Sequence, residues 1–346
     1  MPIKNILNNK SILITGGTGS FGKKFIEKTL ADFKPNKLIV YSRDELKQYE
    51  LQKIWPEKMS SPMRYFIGDI RDLPRLKMAM SDVDIVIHAA ALKQVPTAEY
   101  NPFEAVKTNI IGSQNIIDAA FEKGVTQVIA LSTDKAAAPI NLYGATKLTS
   151  DKLFIAGNNY KGSNDIKLSV VRYGNVMGSR GSVIPFFIEK INDGVFPITD
   201  ERMTRFNITL DEGVNFVMKC LKNMLGGELF VPKLPSYRII DVAKAVSPKA
   251  KLKTIGIRPG EKLHEEMITL SDAINTVEFE NYYSIIPNSN YIERDRKEYL
   301  KNKKSLGSYC NEDFTYNSGT NPDFLTIDEI RELIIKNVPG GELIIN

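Results

Sequence analysis

Four short apolar runs punctuate the first half of the chain: Ser11-Ile-Leu-Ile-Thr15, Lys37-Leu-Ile-Val-Tyr41, Asp84-Ile-Val-Ile-His88 and Gln127-Val-Ile-Ala-Leu131. Each is β-branched and apolar at successive positions, which predicts a parallel strand covered on both faces. Longer stretches of mixed polarity between them predict helices over Gly22 to Ala31, Leu73 to Met80 (after Asp72) and Pro102 to Lys123. In the last, Ala105, Thr108, Asn109, Gly112, Ile116 and Ala119 recur at helical spacing. A helix from about Leu142 to Asn158 and a fifth strand, Leu168-Ser-Val-Val-Arg172, continue the alternation. Strand, helix, strand in repetition predicts an α/β fold with a doubly wound parallel sheet of Rossmann type.

After Asn175 the texture changes. Gly178, Gly181, Pro185, Gly194 and Pro197 break the alternation, and Pro232, Pro235, Pro248, Pro259 and Gly260 keep it broken. That composition predicts a smaller, loop-rich lobe over the carboxyl edge of the sheet. The expected division is 1–174, mainly the dinucleotide-binding domain, then 175–338, mainly a substrate-binding lobe with segments returning to the main domain, then a tail, 339–346. The stretch from roughly 281 to 322 carries little signal.

Composition narrows the class. The chain has 346 residues, 42% hydrophobic and 25% charged, the balance of a soluble globular protein large enough for one main domain and a satellite lobe. Its net charge of +5 comes from scattered basic residues, which suits anionic small molecules and is too weak to argue for nucleic acid. Cys220 and Cys310 cannot build a disulfide framework, and Met1-Pro-Ile-Lys-Asn5 lacks the apolar core of a signal peptide. No stretch approaches the ~18 apolar residues of a membrane span. A reducing, cytoplasmic location with no membrane partner is therefore expected. His88 and His264 are the only histidines, neither at a metal-ligand spacing, so no metal is expected.

Thr15-Gly-Gly-Thr-Gly-Ser-Phe-Gly22 follows the first strand and opens the first helix. It fits G-x-G-x-x-G through Gly17, Gly19 and Gly22, and G-x-x-G-x-x-G through Gly16, Gly19 and Gly22. Glycines there let the backbone approach a pyrophosphate, whose charge sits on the helix N-terminus. The second strand ends in Tyr41-Ser-Arg-Asp-Glu45. Ser42 and Arg43 precede the acidic residues, and an arginine at this place suits a 2′-phosphate, so NADP is expected rather than NAD. Asp44 and Glu45 fit the start of the next helix, at its positive dipole end. In Phe66-Ile-Gly-Asp-Ile70, Asp69 either accepts from an adenine amino group or starts a helix.

Downstream, the fourth strand runs into Ser132-Thr-Asp-Lys135, and Tyr143-Gly-Ala-Thr-Lys147 begins a helix. Tyr143 and Lys147 share a helical face. An ammonium beside a phenol favours the phenolate, which makes tyrosine a usable base. An ordinary exposed helical pair is the alternative for an isolated Y-x-x-x-K. The preceding nucleotide turn and Ser132-Thr133 favour the chemical reading.

Together these motifs resemble the extended short-chain dehydrogenase/reductases that modify nucleotide sugars. The resemblance is closest to the inverting UDP-N-acetylglucosamine 4,6-dehydratases, which open pseudaminic acid biosynthesis in bacteria and are linked to flagellin glycosylation. It rests on Tyr41-Ser-Arg-Asp-Glu-Leu-Lys-Gln48, His88-Ala-Ala-Ala-Leu-Lys93, Thr133-Asp-Lys-Ala136, Tyr143-Gly-Ala-Thr-Lys147, Arg172-Tyr-Gly-Asn175 and Ile257-Arg-Pro-Gly-Glu-Lys262, and spans roughly Lys10 to Val338. The segment Trp55 to Pro62 and the region after Asn281 match poorly.

The resemblance implies NADP held by Gly16, Thr18, Gly19, Ser20, Phe21 and Gly22, with Ser42, Arg43, Glu45 and Lys47 around the adenosine end. It further implies Asp69, Ile70, Ala89, Lys93, Thr108 and Val176 as cofactor contacts, together with Tyr143 and Lys147. Tyr143 would remove the C4 hydroxyl proton as hydride leaves, with Thr133 hydrogen-bonded to the C4 oxygen unless it merely caps the strand. Lys135 and Asp134 would then take the C5 proton and protonate the departing C6 hydroxyl. Retaining relatives resemble one another in an Asp-Glu pair at this place, so Asp134-Lys135 points to the inverting branch. The chemistry asks for a neutral Lys135 and a protonated Asp134, and desolvation moves both groups that way.

On the substrate side, the family motifs map onto Lys93, Asn175, Gly181-Ser182-Val183-Ile184-Pro185, Arg205, Arg258 and Glu261. Arginine forks suit a diphosphate, although each could instead be a structural ion pair, and Lys93 could be a solvated lysine. The implied substrate is UDP-N-acetylglucosamine and the implied assembly a homo-oligomer, dimer or hexamer. A nucleotide-sugar 4-epimerase, which needs no C5 base, and a non-catalytic NADP-binding regulator are the rival readings.

Overall fold

The computed structural model describes residues 5–59, 61–179, 181–287, 300 and 307–344. Its first elements are β1 (Ser11–Thr15), α1 (Ser20–Asp32), β2 (Lys37–Ser42), α2 (Glu45–Ile54), β3 (Met63–Ile67), α3 (Leu73–Ala79) and β4 (Ile85–His88). They continue with α4 (Val95–Tyr100), α5 (Pro102–Val106), a π-helical turn (Lys107–Ile111), α6 (Gly112–Glu122), β5 (Gln127–Thr133), α7 (Leu142–Gly157) and β6 (Lys167–Tyr173). Every residue of β1 and β4 is buried, as continuous apolar runs require when helices cover both faces.

The strands lie in the order β3, β2, β1, β4, β5, β6, all parallel. The order reverses between β1 and β4, and in doubly wound sheets ligands bind outside the carboxyl ends at that switch point. The sheet then grows by Leu229–Pro232, parallel to β6, and by Tyr282–Ile285, Thr276–Glu278 and Ser308–Tyr309, all antiparallel. Later parts of the chain thus return to the main sheet. Tyr282–Ile285 lies in the stretch with little sequence signal, of which 288–299 and 301–306 fall outside the described residues.

Two elements differ from the apolar pattern. β3 has no apolar run to announce it, because an edge strand needs little cover: Met63 is buried while Arg64, Tyr65 and Phe66 are partly exposed. The expected helix Pro102 to Lys123 is interrupted by the π-helical turn, a local irregularity found frequently at functional sites. The turn aims Asn109 at the loop after β4, where its amide donates to Leu92 O and accepts from Leu92 N–H, each at 2.9 Å.

A second apolar core, built on Met177, Ile184, Phe187, Phe196, Val242 and Ile330, lies in the later part of the chain. Phe187 and Phe196 stack within it at 4.9 Å between ring centres. Ile344, in the segment read as a tail, is buried in it. Among the described residues no helix is long and apolar enough to cross a membrane.

Candidate active site

The glycine turn is shaped by close approaches. Gly16 has φ +66°, and a Cβ there would meet the backbone of Ala89 and Ala90 at 2.9 to 3.0 Å. A Cβ on Gly22 would overlap the backbone of Gly17. Gly19 caps α1 without a side-chain hydrogen bond, so no side chain occupies the N-terminus that begins with Ser20 and Phe21. Thr18 Oγ1 lies 3.1 Å from Ser42 Oγ and ties the turn to the end of β2. Thr108, on the π-helical turn, is buried with no partner for its hydroxyl among the described residues. A glycine cradle at the switch point and an unpaired buried hydroxyl fit a dinucleotide.

At the end of β2, Arg43 is exposed and 3.7 Å from Asp69 Oδ2. Asp44 caps α2, accepting from Lys47 N–H at 3.0 Å, and the Lys47 ammonium pairs with the same carboxylate. Glu45 opens α2. The Asp69 carboxylate accepts from the backbone and guanidinium of Arg71 at 2.7 to 3.0 Å. Of its two expected roles, starting a helix is corrected: Asp72 caps α3, because its side chain and not that of Asp69 reaches Arg75 N–H. Ile70 is buried and fills the space beside Gly112.

The end of β5 and the start of α7 bring together the side chains expected to be catalytic. Gly144 makes this possible, since a Cβ there would strike Lys135 O. Thr133 donates to Asp134 Oδ1 at 2.8 Å and works against the rise in the Tyr143 pKa. Lys135 Nζ donates to Asp134 Oδ1 at 3.1 Å and to Asn175 Oδ1 at 3.4 Å, and pairs with Glu265 Oε1 at 3.0 Å. Asp134 is fully buried, and desolvation raises its pKa toward the protonated form.

Two electrostatic expectations are corrected. Burial opposes the charge on Lys135, but the Asp134 and Glu265 carboxylates outweigh it and raise the pKa, so Lys135 stands as an ammonium rather than a neutral amine. The Tyr143 phenol is pushed up to about 12 by burial, and the groups that oppose this are Lys135 and Thr133 rather than Lys147. Lys147 is itself buried, with its pKa lowered by desolvation and supported by the carboxylate of Asp151. Asp151 in turn accepts from Ser132 at 2.8 Å and from Arg172 at 3.2 Å.

On the substrate side, Lys93 is desolvated and feels the charge of Lys135, both of which lower its pKa. Asn175 and Val176 form a short strand beside Asn207–Ile208. Gly181, at φ +75°, precedes Ser182, whose buried hydroxyl has no described partner and which caps the helix Val183–Glu189 containing Ile184 and Pro185. Arg205 is buried, donating to Thr204 O at 2.7 Å and Leu263 O at 3.2 Å, with Nε 3.6 Å from Glu265. Arg258 is largely exposed, 3.8 Å from Glu261.

Two contributors had no sequence signal of their own. Glu265 is 2% exposed, yet in His264-Glu-Glu266 it reads like its partly exposed neighbour. Asn109 fell among residues at helical spacing, and only its reach to Leu92 and to Thr146 Oγ1 (3.0 Å) distinguishes it.

A parallel sheet in this order, a glycine cradle at its switch point, and tyrosine and lysine beside a threonine make the build of a Rossmann-fold short-chain dehydrogenase/reductase. The chain belongs to the family described as polysaccharide biosynthesis protein, whose model matches residues 12–287. It is 54% identical over 332 residues to the UDP-N-acetylglucosamine 4,6-dehydratase (inverting) of Campylobacter jejuni subsp. jejuni serotype O:2, covering 95% of this chain and 98% of that protein. It is 38% identical over 338 residues to a UDP-glucose 4-epimerase of Rickettsia canadensis, covering 94% and 96%. The X-ray structure of Pen from Bacillus thuringiensis matches with a TM-score of 0.85 at 35% identity, covering 98% of this chain and all of that one.

Proposed function

We propose that the chain is an NADP-dependent UDP-N-acetylglucosamine 4,6-dehydratase that inverts C5. It would yield UDP-2-acetamido-2,6-dideoxy-β-L-arabino-hex-4-ulose and open pseudaminic acid biosynthesis in the cytoplasm. The observation that carries this reading is the Asp134–Lys135 pair, hydrogen-bonded at 3.1 Å, with Thr133 donating to the same Asp134 oxygen at 2.8 Å. The 54% identity to an enzyme named for that activity supports it.

A bound nicotinamide dinucleotide would supply the hydride acceptor at C4 and the hydride donor at C6. Gly16, Gly19, Gly22, Thr18 and Thr108 would hold it, with Arg43 toward a 2′-phosphate. Tyr143, having released its phenol proton to solvent, accepts the C4 hydroxyl proton, while Thr133 turns from Asp134 to donate to the same oxygen. The resulting C4 ketone acidifies C5. Lys135 passes a proton to Asp134 along their 3.1 Å hydrogen bond and, now neutral, takes the C5 proton, while Asp134 gives the proton it received to the C6 hydroxyl, which leaves as water. Burial that raises the pKa of Asp134 keeps that proton available. A proton then adds to C5 from the opposite face. Lys93, Asn175 and the Gly181–Pro185 segment would line the sugar nucleotide, with Arg205, Arg258 and Glu261 toward its UDP portion.

Exposed Tyr100 and Phe103 on α4 and α5 support self-association, as a dimer or a hexamer built on it. The 4-epimerase reading has its own support in the Rickettsia relative, but it leaves Asp134 and Lys135 without a task.

NMR of UDP-N-acetylglucosamine incubated with the protein in D2O tests the proposal. The expected first product is a 4-keto-6-deoxy sugar of L-arabino configuration, with deuterium at C5 and the former C4 hydrogen at C6. A D-xylo first product would remove the inversion while leaving dehydration. A C4 epimer with no loss of water would establish the rival.

A further inference from the structure

Lys135 has two carboxylates and not one. Its Nζ lies 3.1 Å from Asp134 Oδ1 on one side and 3.0 Å from Glu265 Oε1 on the other. Glu265 is 2% exposed, immediately before the short strand Glu266–Ile268, and Ser318 Oγ fixes its backbone N–H at 2.9 Å. Its second oxygen, Oε2, is buried with no hydrogen-bond partner among the described residues. A buried carboxylate left half unsatisfied costs free energy, so its place calls for a compensating task.

The two carboxylates are unlike. Desolvation raises the pKa of Asp134, whereas Lys135 and Arg205 outweigh burial at Glu265 and lower its pKa. When Asp134 carries the proton the elimination needs, Glu265 is the anion that remains against the lysine. The charged and titratable groups around it are Lys135 and Asp134 on the turn after β5, Arg205 on the strand Thr204–Ile208, and Lys262 on its own segment. Beyond these, Tyr143, Tyr237 and Lys93 feel the charge of the same lysine.

We propose that Glu265 is the positioning residue for the Lys135 step, holding the lysine opposite Asp134 and supplying the negative charge that remains when Asp134 is protonated. The catalytic step of Lys135 rests on the dehydratase reading; the holding and the charge do not. Glu265 touches neither sugar nor cofactor in this role and acts only through Lys135.

Competitive acetylation with acetic anhydride, followed by mass spectrometry of the Lys135 peptide across a pH series, reads the proton affinity of that lysine without turnover. An opposite charge this close commonly shifts a pKa by about 1–3 units. Glu265→Gln is therefore expected to raise Lys135 labelling at a fixed pH by at least ~10-fold, with the other lysines unchanged. Glu265→Asp, which keeps the charge but withdraws it by one methylene, should fall between, and carries the test if the glutamine variant does not fold. In the same variants, the limb of the kcat profile that depends on neutral lysine should move to lower pH. A Lys135 titration unmoved in every folded variant overturns the proposal. If the wild-type protein leaves UDP-N-acetylglucosamine unchanged, the dehydratase reading falls, and the labelling result still decides what Glu265 does to Lys135.

Discussion

Lys135 Nζ stands 3.1 Å from Asp134 Oδ1, so the amine and the carboxyl proposed for elimination are neighbours in sequence and hydrogen-bonded in space. Adjacent side chains usually diverge. Here the 3-10 turn Asp134–Ala136, at the carboxyl end of β5, curls them to one side, under the first turn of α7. The pair therefore shares its pocket with Tyr143, and this division of labour can be taken apart by substitution.

Tyr143→Phe should abolish hydride transfer from C4 and with it all later steps. Lys135→Ala should chiefly lose C5 exchange and water loss, with a smaller slowing of cofactor reduction because its charge also lowers the Tyr143 pKa. Removing one positioned acid–base group commonly costs ~100- to 10,000-fold in rate. Single-turnover absorbance at the reduced nicotinamide band, read beside deuterium uptake at C5, separates the two. Near-normal dehydration by Lys135→Ala would strip that residue of its role.

Arg43 is exposed at the end of β2 and has Asp69 as an ion-pair partner at 3.7 Å, a loose contact that a phosphate could replace. Arg43→Ala should weaken NADP far more than NAD, because only NADP has the 2′-phosphate. A charge-assisted hydrogen bond of about 1.5–3 kcal/mol corresponds to ~10- to 100-fold in affinity. Titration calorimetry with both dinucleotides measures this. Equal losses for the two would take Arg43 away from the phosphate.

His88 ends β4 with Nδ1 2.9 Å from Thr15 Oγ1 and Nε2 3.4 Å from Ser113 Oγ. Burial, helped by the charge of Lys147, pushes its pKa down from 6.5 to about 3. The sign follows from linkage. The folded chain keeps this ring neutral, the unfolded chain protonates it below pH 6.5, and stability is lost as pH falls from there toward 3. The slope from this one group approaches ~1.4 kcal/mol per pH unit. Thermal unfolding at several pH values should show His88→Gln less stable near neutrality but with a shallower loss in acid; an unchanged slope would contradict the assignment.

The sequence alone determined the parts of this protein that depend on local rules. Continuous apolar runs predict strands buried on both faces, and β1, β2, β4, β5 and β6 appear within two residues of where those runs lie. Gly16 and Gly22 were legible because a left-handed φ and a backbone contact each exclude a side chain. Asp134, Lys135, Tyr143 and Lys147 were legible because they sit close together in the chain, at a strand end and on one helical face.

Only the tertiary structure decided what those groups meet. Glu265 lies 130 residues beyond Lys135 and reaches it at 3.0 Å because the later chain folds back over the carboxyl edge of the sheet. Together with Asp134 it outweighs the desolvation that opposes the lysine's charge, since Coulomb attraction depends on distance in space and burial strengthens it. Asn109 and β3 tell the same story on a smaller scale. One is selected by a π-helical turn and the other by its place at the sheet edge, and neither is encoded in a periodic pattern of apolar residues.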